Sequence, residues 1–174
     1  MRFSRTTRHI NTVSEIDAPI ERVWAAVTSP EGINYELRPY LRMTVPPPFR
    51  GVTIDDIAPG TKLGRSVFLL FGILPFDYDN ITVAEIDYGT RFREQSTMMS
   101  MSTWIHERTL RQRGDRTEVS DAVSFVARAP LGLLPGWSAM LRFTLSFLFR
   151  HRHRRLQAFF NQERHATSKT GSGS

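Results

Sequence analysis

"TWIHERTLRQRGDRTEVSDAVSFVAR", residues 103 to 128, contains two alternating apolar and polar runs joined through Gly114 and Asp115. Alternation with period two puts successive side chains on opposite faces of a strand. A glycine-containing pair between two such runs marks a tight antiparallel hairpin. Setting the turn at these residues fixes the pairing: Arg113 meets Arg116 and, counting outward, Arg108 meets Asp121, His106 meets Val123 and Trp104 meets Phe125. These six side chains share one face. Val119, Val123 and Phe125 are the most apolar alternate set of the second strand, so that face points inward and Arg108 with Asp121 forms a desolvated ion pair. A slip of one residue would turn them all outward.

Upstream, "RFREQSTMM" (91–99), "NITVAEIDY" (80–88) and "RSVFLLFGI" (65–73) read as further strands bounded by Gly, Pro and Asp, with "LRMTV" from Leu41 as a short addition. Phe92, Glu94, Ser96 and Met98 alternate together. A short loop near Ser100 brings Glu94 or Ser96 beside His106 or Arg108, where Glu94 completes the ion pair. Earlier still, "HINTVSEI" (9–16) reads as the first strand. A helix follows it, with Asp17 as N-cap, Pro19 in the first turn and Ile20, Val23, Trp24 and Val27 as the apolar face. Residues 30–38 form a second, shorter helix, and the prolines of "VPPPFRG" (45–51) exclude regular structure. After "APLGLLPG" (129–136) one long helix runs from Trp137 to about Arg164. The order predicts an α+β chain in which a curved antiparallel sheet of six or seven strands wraps a long C-terminal helix and encloses space beneath it. Residues 1–164 form one domain, and 165–174, ending in "GSGS", read as a disordered or appended tail.

A hydrophobic content of 40% with 23% charged residues in 174 positions is that of one globular domain and excludes wholesale disorder. The net charge of +6 favours acidic partners without naming one. Cysteine is absent, which removes disulfides, thiolate catalysis and cysteine-held metals and suits the reducing cytoplasm. The start, "MRFSRTTRHINT", carries charge with no apolar core behind it. The longest apolar run, residues 130–149, is broken by two prolines and Arg142, so neither a secretory signal nor a membrane span is expected. No P-loop, dinucleotide glycine pattern or nucleophile elbow occurs, and no cofactor is expected.

Within the last helix, "SFLFRHRHRRLQAFF" (146–160) divides between two faces. Trp137, Leu141, Leu145, Leu148, Leu156 and Phe159 fall on one stripe at 100° per residue and pack into the sheet. Arg152 falls on that stripe and either snorkels at the cavity mouth or meets an anionic ligand head group. Arg150 and Arg154 lie on the far side with Phe143 and Phe147. Phenylalanines beside arginines predict an outer surface that meets an anionic membrane or a second copy in a homodimer, unless residues 46–51 or "PLGLLPG" cover it. His151 and His153 are two apart and diverge, and His9, His106 and His165 add no useful spacing, so no metal site is expected. With no aromatic platform or recognition helix, no specific nucleic-acid partner is expected either.

"IDAPIERVWAAVTSPEG" (16–32) after the first strand, then "GILPFDYDNITVAEIDYGTRFREQ" (72–95) and the hairpin, resemble the START-related, birch-pollen-allergen-like helix-grip superfamily, SRPBCC. The resemblance covers nearly the whole chain. It is most specific at Trp104, His106, Glu107, Arg108, Asp121 and Phe125, which are similar to bacterial members described as ligand-binding or polyketide cyclase-like. It implies an apolar cavity under the last helix. The expected lining is Phe92, Glu94, Met98, Trp104, His106, Arg108, Asp121, Val123, Phe125, Leu141, Leu145, Leu148 and Arg152, with Tyr35, Tyr40 and Tyr78 as further donors. Three functions follow. The chain binds or transfers a hydrophobic or amphipathic small molecule of lipid, quinone or polyketide type. Alternatively it is a cyclase or hydrolase using His106, the one catalytic candidate, as acid or base. Or it is an interaction protein whose own side chains fill the cavity.

Overall fold

The hairpin read from Gly114 and Asp115 is present with the expected register: Arg113 pairs with Arg116, Arg108 with Asp121, His106 with Val123 and Trp104 with Phe125. Gly114 takes φ +65°, the left-handed conformation that such a turn asks of glycine. The structure, a computed structural model, describes residues 7–130, 132 and 134–170.

Its elements are β1 (Arg8–Ile16), α1 (Ile20–Thr28), α2 (Pro30–Leu37), β2 (Leu41–Met43), β3 (Lys62–Leu70), β4 (Leu74–Asp87), β5 (Arg91–Met98), β6 (Met101–Arg113), β7 (Arg116–Ala127) and α3 (Trp137–Thr170). The strands form one antiparallel sheet in the order β1-β7-β6-β5-β4-β3-β2. The curled sheet grips α3, with α1 and α2 inserted after the first strand, which is the α+β helix-grip arrangement.

Several boundaries differ from the sequence reading, each for a local reason. Pro19, not Asp17, is the N-cap of α1 and offers no side-chain bond. The Asp17 carboxylate pairs instead with Arg116 and Arg164. β3 stops at Leu70 because Phe71 and Gly72 both take positive φ, +51° and +78°, and turn the chain back. β4 therefore starts at Leu74, six residues before the expected Asn80, and its inward positions include Asp77 and Asp79. The three prolines permit a 3-10 turn at Pro47–Phe49. α3 continues past Arg164 to Thr170, since no glycine or proline interrupts it before Gly171; of the expected tail, residues 171–174 lie outside the described residues.

The buried stripe of α3 is Leu145, Phe149, Arg152, His153, Leu156 and Phe160. Phe149 and Phe160 thus take positions assigned to Leu148 and Phe159, which are only half-buried. The segment 44–61 does not cover Phe143. It is pinned on the sheet side by a bond from Trp24 Nε1 to Asp55 Oδ1 (2.8 Å) and one from the Tyr88 hydroxyl to the Ile57 carbonyl (3.0 Å). From there Phe49, Val52 and Ile54 pack on the cluster that holds Val27 and Val83.

α1 and α2 meet at a sharp corner. Ser29 ends the first helix and caps the second, its hydroxyl accepting from the Gly32 N–H at 3.0 Å, while Pro30 occupies the first turn. Gly32 lies so close to the Ala26 carbonyl that any Cβ there would collide with it. This corner aims α2 at the sheet and buries Glu36 to 1% exposure.

Candidate functional site

Arg108 on β6 is fully buried and holds two carboxylates. Its Nε and Nη2 donate to Asp121 Oδ1 and Oδ2 on β7, each at 2.7 Å, and its Nη1 and Nη2 donate to Glu36 Oε1 and Oε2 on α2 at 2.9 and 3.1 Å. From α3, Arg152 Nε donates to Glu36 Oε2 (2.9 Å) and His153 Nε2 donates to Asp121 Oδ2 (2.9 Å). His153 Nδ1 lies 2.7 Å from the Ser14 hydroxyl of β1. His106 places Nε2 at 2.9 Å from Asp121 Oδ1 and Nδ1 at 3.2 Å from Glu94 Oε1 on β5, which also accepts from Trp104 Nε1 at 3.0 Å.

Charge states follow from these partners. Burial alone would raise the acids, yet the Arg108 guanidinium holds Asp121 well below the usual carboxylate range, and Arg108 with Arg152 lowers Glu36. Burial likewise opposes ionisation of Glu94, but the hydrogen bond and charge of His106 keep it lowered. Desolvation would depress His106; the Asp121 charge and bonds to both carboxylates outweigh it and raise the imidazole. Each carboxylate oxygen facing His106 can only accept, so both ring nitrogens carry hydrogen and the group is an imidazolium.

Beside this network, between the sheet, α3 and the 44–61 segment, lies a cavity of about 410 Å³ with mainly apolar walls. Free volume of this size excludes the expectation that the chain's own side chains fill it. Of the expected lining, Phe92, Glu94, Met98, Trp104, His106, Leu141, Leu145, Leu148 and Arg152 reach the cavity, as does Tyr40. Arg108, Asp121, Val123 and Phe125 do not. They face inward as the register predicts, but Arg108 and Asp121 are consumed by the ion-pair layer, and Val123 and Phe125 pack in a core cluster with Ile10 and Phe149. The second carboxylate on Arg108 is Glu36, not Glu94. Tyr35 and Tyr78 lie under the Arg155 and Arg65 guanidinium groups, away from the cavity lining.

Arg152 neither snorkels to water nor stands free. It is 9% exposed, bonded through Nε to Glu36 and set 5.0 Å from the centre of the Phe149 ring. Phe147 contributes to the cavity wall and touches Tyr40 and His151, whereas Phe143 is 70% exposed with Arg150 and Arg154 on the same outer side.

Sequence reasoning missed Glu36, His153, Ser66 and Asp79. Asp79 was findable, because it alternates in phase with Ile81 and Val83. Its side chain is 2% exposed, and burial together with the nearby Glu94 charge pushes its pKa from 3.8 to about 7. Neighbouring Asp77 has a different task. It accepts from the N–H groups of Met99 and Ser100 and from the Ser100 hydroxyl, and so fixes the turn between β5 and β6.

Two measurements test this picture. Arg108→Met strands two buried carboxylates, and urea unfolding should show a loss of about 3–5 kcal/mol. Asp79 keeps its proton to higher pH when folded than when unfolded, so its ionisation weakens the fold as pH rises from 3.8 to about 7 and adds nothing beyond. Asp79→Asn should therefore match the parent near pH 4 and exceed it at pH 8, by on the order of 4 kcal/mol at most, in pH-resolved melts. The charged groups around it, Asp77, Glu94, His106 and Arg152, are common to both proteins.

Comparison with known proteins agrees with this architecture. A START superfamily protein from Mycobacterium smegmatis superposes with TM-score 0.63 at 11% identity, over 88% of this chain and 97% of that one. The Zhui aromatase/cyclase from Streptomyces sp. R1128 gives 0.64 at 13% identity, over 90% and 95%. A structural-genomics protein from Chromobacterium violaceum gives 0.64 at 18% identity, over 87% and 96%. At such identities the likeness establishes a shared helix-grip fold, with no activity attached. A search of the curated proteins finds no match. The family model described as "Domain of unknown function (DUF8410)" matches residues 14–160, so the chain belongs to that family, and its fold is the START-like helix grip.

Proposed function

We propose that the protein binds a hydrophobic or amphipathic small molecule, of lipid, quinone or polyketide type, in the cavity under α3. The observation that carries this reading is the cavity itself: about 410 Å³, apolar-walled, with a few inward polar groups. That volume lies within the range of small-molecule sites, where apolar walls supply affinity and sparse polar groups set orientation. A cyclase using His106 is less well supported. The His106 imidazolium has both N–H groups committed to carboxylates and has no free nitrogen to take a proton from substrate.

The cavity rim supports a place of delivery. The β3–β4 turn leaves Phe71, Ile73, Leu74 and Phe76 at least half exposed. It joins the outer face of α3 through Tyr40, whose carbonyl accepts from the Phe71 N–H (2.8 Å) and whose ring lies 5.4 Å from Phe147. Phe76, Leu141 and Phe147 also line the cavity, so the apolar rim is continuous with its interior. With Arg150 and Arg154 beside it and a net charge of +6, this rim suits contact with an anionic membrane. Among the described residues no helix is long and apolar enough to cross a membrane.

Native mass spectrometry of the purified protein, followed by organic extraction, should reveal a stoichiometric hydrophobic adduct, and Leu141→Trp should lose it while keeping a cooperative melt. An empty protein from several hosts, with no thermal shift from a hydrophobic library, would overturn the binding reading. Vesicle sedimentation should capture the protein on phosphatidylglycerol-containing but not purely phosphatidylcholine vesicles, with severalfold less capture for Phe143→Ser combined with Ile73→Ser. Equal capture by both proteins would remove the membrane assignment. A doubled native mass that the same substitutions halve would assign the rim to a second copy of the chain instead.

A further inference from the structure

Three polar side chains lie buried together on neighbouring strands, Asp79, Ser66 and Ser96; Oδ1 of Asp79 and Oγ of Ser66 have no hydrogen-bond partner, and the Ser96 hydroxyl lies toward the Asp79 carboxylate. Ser66 on β3 is the direct cross-strand partner of Asp79 on β4, and Ser96 on β5 is the partner of Ile81, two residues along on the same face as Asp79. The three residues are 0%, 2% and 6% exposed in the order Ser66, Asp79, Ser96, and Ser66 and Asp79 line the cavity. Buried polar groups left without partners are costly, and nearly all in folded proteins are satisfied. Ser66 and Asp79 face the cavity, whereas Ser96 is outside its lining and its hydroxyl bears on the Asp79 carboxylate.

We propose that Ser66 and Asp79 form a recognition subsite for a single ligand hydroxyl, with Ser96 bearing on the Asp79 carboxylate, so that the cavity takes an apolar molecule carrying an uncharged alcohol or phenol at its buried end. This rests on the cavity-binding reading above. A hydroxyl offers one donor and two acceptor lone pairs. Its hydrogen matches Asp79 Oδ1, and a lone pair matches the Ser66 hydroxyl. A ketone lacks the donor. A carboxylate or phosphate head at Ser66 would enter next to Asp79 and Asp77, while the cations that line the same cavity, His106 and Arg152, are already bonded to Glu94 and Glu36, and like charge in a desolvated site is repelled. The raised proton affinity of Asp79 is consistent with a site for a neutral group.

The test is isothermal titration of the full chain with three probes of closely similar shape: 2-naphthol, 2-methylnaphthalene and 2-naphthoate. The expected order is 2-naphthol tightest, by about tenfold over 2-methylnaphthalene, the worth of one to two net hydrogen bonds, with 2-naphthoate weakest. In Asp79→Leu, and more gently in Ser66→Ala should the first variant fail to fold, the naphthol advantage should shrink toward onefold while 2-methylnaphthalene still binds. Equal binding of naphthol and methylnaphthalene by the parent would overturn the subsite and leave the cavity reading intact. Tightest binding by 2-naphthoate would also overturn it and move the ligand head to Arg152. Binding of none of the three, with the protein shown free of co-purified ligand, would overturn the cavity reading and the subsite together.

Discussion

The buried ion-pair layer centred on Arg108 is the constraint around which the molecule is arranged. Along β6 the inward residues run Trp104, His106, Arg108, Leu110, and along β7 they run Val119, Asp121, Val123. In each strand the polar members separate one apolar cluster from the other. α3 repeats the pattern, with Leu145 and Phe149 in one cluster, Leu156 and Phe160 in the other, and Arg152 and His153 between them. Helix and sheet can therefore meet in only one longitudinal setting. A shift of α3 by one turn would place a guanidinium against leucines and leave carboxylates unpaired, a cost of several kcal/mol for each stranded charge. Apolar surfaces slide over one another with modest loss; a stack of matched charges does not, and so it fixes the shape of the space left beside it.

The corner between α1 and α2 serves the same layer. Ser29 and the cramped Gly32 turn the chain sharply, α2 comes in at the open side of the sheet, and Glu36 arrives within bonding distance of two arginines from different elements. The cavity is then bounded by what this packing cannot fill. Its walls come from strands, from α3 and from the irregular 44–61 segment, which contributes Phe49, Val52 and Ile54.

How much of this was legible in the sequence depended on the range of the interaction involved. The β6–β7 hairpin was readable residue by residue, because a tight turn sets register and period two then assigns every face, whereas the alternation of β5 brought Glu94 or Ser96 beside His106 or Arg108 without choosing between them. Glu36 was not readable, since its role depends on the angle at which a short helix meets a sheet. His153 was hidden for a related reason: in a run of arginines and histidines the phase of the helix decides which head is buried, and the leucines suggested a phase that placed Leu148 and Phe159 where Phe149 and Phe160 lie. Asp79 was lost to a boundary. An apolar run that reads as one strand to Ile73 is bent at Phe71 and Gly72, and the following strand begins early enough to include it.

The charges of the layer also add up. Arg108, Arg152 and the imidazolium of His106 stand against Glu36, Glu94 and Asp121, three of each sign, so this layer carries no excess positive charge and that of the chain resides outside it. Dissolved ions screen exposed charges over a Debye length and reach desolvated, paired ones weakly. Ionic strength therefore acts on the two halves of this molecule separately: it weakens the pull between the rim arginines and an acidic surface while leaving the register of α3, and the volume beneath it, unchanged.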